Sequence, residues 1–124
     1  MARVIPIKAM GKMKDTPVIE ITKTGGILFH DLVSDRYFRA GLHTVEEAIT
    51  KVTTTLKTTG EACPNDFYSA IGAMTTNKGR TYGWNSRVIP GGNVYYLTKT
   101  DFNGETMYEV IPFAYPIKEY KELI

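Results

Sequence analysis

The chain has 124 residues, of which 15 are basic and 13 acidic, giving a net charge of +2. Apolar residues make up 43% and charged residues 23%, near the globular average, which excludes a disordered tail, a collagen-like repeat and a disulfide scaffold. A chain of this size buries about two-thirds of its unfolded surface as one domain, and its small charge excludes a DNA mimic and gives nucleic acid no special claim.

Residues 3–8 form a short apolar run and are expected as a strand. Pro6 cannot donate to a ladder, so this strand belongs at an edge or carries a break. Residues 9–16 are basic and expected as a loop. Pro17–Lys23 alternates and is β-branched, Thr24-Gly25-Gly26 is a turn signal, and Ile27–Val33 follows as the returning strand. Residues 1–40 thus predict an N-terminal hairpin region, with 34–43 polar-aromatic and undecided.

Thr44-Val45-Glu46-Glu47 has the form of a capping box and predicts a helix start. Val45, Ala48, Ile49, Val52 and Leu56 recur at helical spacing as one buried stripe, and Gly60 is the expected stop. Threonines between 50 and 58 lower helix propensity, so this helix depends on its packing. A second, shorter helix starts at Pro64, has Asp66 in its first turn, aligns Phe67, Ala70 and Ile71, and ends at Gly72. Residues 44–72 are therefore a helical region.

Residues 73–86 are expected as a polar loop, and 87–115 as a β-meander. Its parts are Arg87-Val-Ile-Pro, the Gly91-Gly92 link, a strand from Asn93 to Thr100, an Asn103-Gly104 turn, and a strand from Thr106 to Ala114. The expected fold is α+β: an antiparallel sheet of about five strands, with one long and one short helix on one face, in a single domain over 1–124.

Few residues carry obvious chemistry. Cys63 is the single cysteine, so no internal disulfide forms. His30, His43 and Cys63 lack the spacing of a zinc site, and no metal or cofactor is expected. His30-Asp31 with Asp35 has the residue types for a divalent ion, against the plainer reading of a strand end meeting solvent. Cys63 precedes a helix N-terminus, which lowers a thiol's pKa, and it could pair with His30 or His43 as a nucleophile. The plainer reading is a small apolar side chain in a cap pocket. No phosphate-binding glycine loop is present, and Gly91-Gly92 joins strands without opening a helix. A non-enzymatic protein is expected. No apolar run is long enough for a membrane span.

The segment 75–87 is the most loaded. Lys78, Arg80 and Arg87 alternate with Tyr82 and Trp84, and no acid intervenes. Such interleaving binds single-stranded nucleic acid by phosphate contact and base stacking. The plainer reading, and the favoured one, is that Trp84 and Tyr82 anchor the loop to the core while the charges are solvated; a third is that the aromatic and Arg residues form a protein-binding surface.

The stretch Asn65-Asp66-Phe67-Tyr68, followed by Gly72, a later Gly79 and Gly83-Trp84-Asn85, resembles a small uncharacterised domain. That domain recurs in proteins of phages, plasmids and conjugative elements of Gram-positive bacteria. The tail from Asp101 to Pro116 is similar to the family's closing hairpin, and the resemblance covers about residues 45–120. Members often carry acids before the Gly-Trp and after the Asn-Asp-Phe-Tyr, where this chain has Arg80-Thr81 and Ser69. The resemblance implies a mobile-element protein with no assigned reaction. The expectation is a protein-binding protein, for instance an inhibitor of a host defence system. The alternatives are a self-associating virion or assembly component and a single-strand nucleic-acid-binding module. The N-terminal run Met1–Lys8 lacks the form of a signal peptide, so the expected site is the host cytoplasm, or the virion for an assembly component.

Overall fold

The structure is a computed structural model that describes residues 3–7 and 16–20 by their backbone and residues 26–87, 89 and 92–121 with their side chains. Strands β1 (Arg3–Ile7) and β2 (Thr16–Glu20) pair antiparallel, with Pro6 opposite Pro17. Prolines cannot donate to a ladder, and β1 accordingly lies at the sheet edge, as expected. Most of the loop expected over 9–16, and Thr24 and Gly25 of the expected turn, lie outside the described residues.

The expected hairpin between 17–23 and 27–33 does not form. Strand β3 (Ile27–Asp31) instead pairs antiparallel with β4 (Arg36–Ala40), and β2 runs parallel to the far side of β4, with Val18 opposite Tyr37. The segment left undecided by its polarity is a central strand because both of its faces find aromatic partners. Phe38 stacks on Phe29 with ring centroids 5.2 Å apart, and Tyr37 lies on the His30 ring at 4.4 Å. Such cross-strand pairs are what hold a sheet register.

Helix α1 runs Leu42–Thr59. It begins three residues earlier than the Thr44 box implied: Gly41 is the N-cap, in extended conformation and without a side-chain cap. Strand β4 ends at Ala40 and delivers the chain directly into the helix, and the Gly41 carbonyl accepts the first bond from Val45 N. Thr44 and the two glutamates therefore sit inside the helix, where Glu47 lies 3.4 Å from His43 one turn back. The expected stripe of Val45, Ala48, Ile49, Val52 and Leu56 is buried, joined by Thr53, whose hydroxyl accepts the Val94 amide at 3.2 Å. Thr55, Thr58 and Thr59 return their hydroxyls to carbonyls one turn back, which satisfies them within the helix. Gly60 ends it at φ 88.

Strand β5 (Glu61–Ala62) leads to helix α2 (Pro64–Ile71), with Pro64 in the first turn and Gly72 in left-handed conformation after the last. The expected polar loop contains a one-turn helix, α3 (Asn77–Thr81), and strand β6 (Trp84–Asn85), which pairs with β5. Among the described residues, the expected C-terminal meander is a hairpin of two strands, β7 (Tyr95–Phe102) and β8 (Glu105–Pro112), and Arg87 lies in a turn. Asn103 and Gly104, both at positive φ (52 and 81), make the two-residue turn that Asn-Gly favours.

The fold is α+β. The main sheet has the order β1-β2-β4-β3-β8-β7. It is mostly antiparallel, with parallel pairings of β2 with β4 and β3 with β8. Its inner face carries Phe29, Phe38, Val110 and Tyr95, which join the buried residues of α1 and α2 and Trp84 in one core. Phe67 of α2 meets Phe38 at 6.5 Å and Tyr95 at 4.9 Å. The alternation of β3, β4 and β8 places Leu28, His30, Tyr37, Met107 and Glu109 on the opposite, outer face. There Leu28, Tyr37 and Met107 form a second buried cluster.

Candidate functional site

Neighbouring residues at the end of β3 point to opposite faces and build two polar centres. On the outer face His30, 7% exposed, places Nδ1 2.5 Å from Glu109 Oε1 and Nε2 2.7 Å from Asp35 Oδ1. Only a doubly protonated ring donates from both nitrogens, so the geometry is that of an imidazolium between two carboxylates. Burial pulls the ring's pKa down, but the hydrogen bonds and charges of Asp35 and Glu109 outweigh it and hold His30 above its ordinary value. Asp35 occupies a left-handed position, φ 54, which turns its carboxylate back toward the ring. The same two acids, after burial, raise the Tyr37 phenol. At this strand end the His30 ring is buried in a charge cluster of which Asp35 remains exposed to solvent. His30 shows each carboxylate a different nitrogen, and among the described residues no trio of ligand-type side chains converges as a metal would require.

On the inner face Asp31, 2% exposed, is a hydrogen-bond acceptor hub. Its Oδ2 takes the Tyr68 hydroxyl at 2.7 Å, the Ser34 amide at 2.9 Å and the Ser34 hydroxyl at 2.5 Å. Arg36 lies over the Tyr68 ring at 4.5 Å, donates to Ser34 Oγ and donates to the Met74 carbonyl. Burial, then the Asp31 charge, push the Tyr68 phenol far up, so it stays a donor.

The residues of the Asn-Asp-Phe-Tyr motif have structural work. Asn65 clasps Thr76 in both directions at 2.9 Å, and Asp66 accepts the Cys63 amide at 2.9 Å. Phe67 and Tyr68 are core, and Gly72 takes the left-handed cap. A Cβ on Gly83 would lie 2.5 Å from the Ala62 carbonyl and 2.7 Å from the Tyr120 ring, so only glycine fits there. At Cys63 burial, then the charge of Asp66, raise the pKa, the opposite of the lowering that a helix N-terminus alone would give. The cap that orients α2 places a carboxylate beside the sulfur, and burial together with that charge outweighs the amides of the helix terminus.

The segment 75–87 does not present its aromatics. Trp84 is fully buried against Tyr95, ring centroids 5.4 Å apart, and its Nε1 donates to the Ala114 carbonyl at 2.6 Å. It offers no face for base stacking. Lys78 lies over the half-buried Tyr82 ring at 5.7 Å, Arg80 donates to Asn77 at 3.2 Å, and Arg87 is exposed. The exposed aromatics lie elsewhere. Tyr96 (40% exposed), Phe113 (59%) and Tyr115 (65%) stand at the far end of the β7–β8 hairpin from its turn, and the Tyr96 and Phe113 rings meet at 4.7 Å. Alternation along β8 puts Phe113 on the same face as Glu109, so the aromatic pair and the His30 cluster share the outer face of the sheet.

A family model described as a family of unknown function (DUF6353) matches residues 5–122. The chain belongs to DUF6353. The match takes in residues 5–44, beyond the reach of the Asn-Asp-Phe-Tyr resemblance, so the β1–β4 region is part of the family domain. No curated protein and no solved structure matches the chain. In this DUF6353 member, then, the motif between 65 and 84 builds the core, while the exposed aromatic surface comes from the hairpin. Tyr96 and Phe113 were hidden from sequence reasoning because only the strand register shows that they adjoin. The one available signal was the pairing implied by the Asn103-Gly104 turn.

Proposed function

We propose that this protein is a non-enzymatic binding module that captures another protein on the outer face of its sheet. The observation that carries this reading is the exposed ring pair of Tyr96 and Phe113. Aromatic side chains give large contact area at low entropy cost and dominate interface energetics. The exposed Asp35 and half-buried Glu109 share one imidazolium on the same face, which suits a partner with an apolar pocket beside basic groups. The resemblance of its motif to mobile-element proteins supports the finer reading: a phage- or plasmid-encoded protein of the host cytoplasm that inhibits a defence system. Affinity capture from host extract tests it. Wild type should retain a specific protein that the Tyr96→Ser, Phe113→Ser double variant loses while keeping its circular dichroism spectrum. Equal recovery by both, or no specific partner, overturns the reading.

A second reading, a virion or assembly component, is favoured by strand β7, which ends the sheet with no strand beyond it among the described residues. Mass spectrometry of purified particles decides it by the presence or absence of the chain.

A further inference from the structure

Strand β7 is eight residues long and is the terminal strand of the six-stranded sheet. A strand edge of this length is a template for another strand unless something blunts it. The hairpin geometry fixes which backbone groups are open. In a two-residue hairpin the pair flanking the turn exchanges both bonds, and bonding then alternates along the strand. Phe102, Thr100, Thr98 and Tyr96 therefore spend their amides and carbonyls on β8. Two bonds at other places agree with this phase. Phe113 N donates to Val94 O at 3.0 Å, and Leu32 N donates to the carbonyl of Val110, the residue opposite Leu97. Leu97, Lys99 and Asp101 consequently turn their backbone groups outward, and among the described residues nothing pairs with them.

The side chains on this edge are self-complementary. Lys99 and Asp101 lie on one face, two residues apart, both exposed and without an ion pair among the described residues. Thr98 and Thr100 alternate with them and are exposed on the other face. A two-fold axis at Thr100 sets Lys99 of each copy opposite Asp101 of the other, as a hydrogen-bonded pair, with Thr100 facing Thr100. Antiparallel registers centred on the neighbouring residues lose both complementary pairs. Centring on Lys99 opposes two lysines, centring on Asp101 opposes two aspartates, and centring on Thr98 sets Lys99 against Leu97 and Asp101 against Tyr95. A lone lysine would blunt the edge by facing itself, whereas here its complement is carried two residues away.

We infer that a second copy of this chain pairs along residues 98–102 of β7, antiparallel and centred on Thr100, joining the two sheets into one through two Lys99–Asp101 contacts. The inference deepens the assembly reading by naming the partner, and it is independent of the aromatic pair as a binding surface.

Sedimentation velocity on the full chain across a concentration series tests it, with reciprocal charge variants. Wild type should sediment as a dimer. Lys99→Asp and Asp101→Lys each place like charges opposite each other twice, and each should weaken dimerisation by roughly tenfold or more. The double variant Lys99→Asp with Asp101→Lys restores both pairs and should dimerise as wild type does. An equimolar mixture of the two single variants should form the mixed dimer, since every opposed pair is then complementary. A wild type that stays monomeric at the highest attainable concentration overturns the inference, as do single variants that dimerise like wild type or a double variant that remains monomeric. These exposed positions lie outside both cores, so failure to fold does not confuse the result. A dimer that is absent from particles would leave the pairing standing and remove only the assembly reading.

Discussion

Two segments of this chain look alike in sequence and do opposite things in the fold. The stretch from Lys78 to Arg87 and the hairpin from Tyr95 to Phe113 both mix aromatics with charge. The first turns Trp84 inward to a fully buried site and leaves its charges in solvent. The second buries Tyr95 but shows Tyr96 and Phe113 to solvent, because alternation along a strand sends neighbours to opposite faces and, among the described residues, helices cover only one face. The means of attachment differ too. Trp84 holds its segment through apolar packing and a neutral hydrogen bond, whereas the hairpin is tied to the rest of the sheet partly by charge. Glu109 meets His30, and both oxygens of Glu105 meet Arg39, at 2.6 and 3.1 Å. Composition alone does not tell an anchor from a contact surface.

The sharpest way to break this contrast is truncation on each side. Trp84→Ala should cost about 3–5 kcal/mol by urea denaturation, as expected for an aromatic removed from a packed core. Phe113→Ala should stay within about 1 kcal/mol, as for exposed positions. Equal losses would mean that the two regions are not anchor and surface.

A smaller effect should separate the attachments by pH. His30 has its folded pKa raised above 6.5, so its contribution to stability is complete below about pH 6.5 and is lost as pH rises through the folded value. Glu105 is lowered below 4.5 by its hydrogen bonds to Arg39, so its contribution is present above about pH 4.5 and is lost as pH falls through the folded value. Melting temperature should therefore fall on the alkaline side, and His30→Gln should flatten that limb. The acidic limb should be shallower, since Glu105 is half exposed and solvent screens the pair. An unchanged alkaline limb in His30→Gln would show that the imidazolium does not tie the hairpin.

The smallest effect belongs to the basic residues of the first segment. Lys78→Ala with Arg80→Ala should change stability by less than about 0.5 kcal/mol, because both are exposed. With Trp84 buried, any single-strand affinity in a gel-shift titration should be weak and salt-dependent. Tight binding lost in this double variant would reverse the assignment of the two segments.

Local signals determined much of this protein. The stripe on α1, the stops at Gly60 and Gly72, Pro64 opening α2 and the Asn103-Gly104 turn are readable because each depends on chain geometry within a few residues. The α+β class follows from them. Tertiary structure decided the rest. Which strand pairs with β3 depended on aromatic partners for Tyr37 and Phe38 on both faces of β4, so a strong local turn signal lost to long-range packing. The helix start moved to Gly41 because β4 aims the chain into α1, which no capping pattern records. His30 and Glu109 are 79 residues apart in sequence and meet only because β3 lies parallel to β8. The aromatic pair and the open edge exist for the same kind of reason: strand order and register, set by burial across the whole sheet, choose which residues face water.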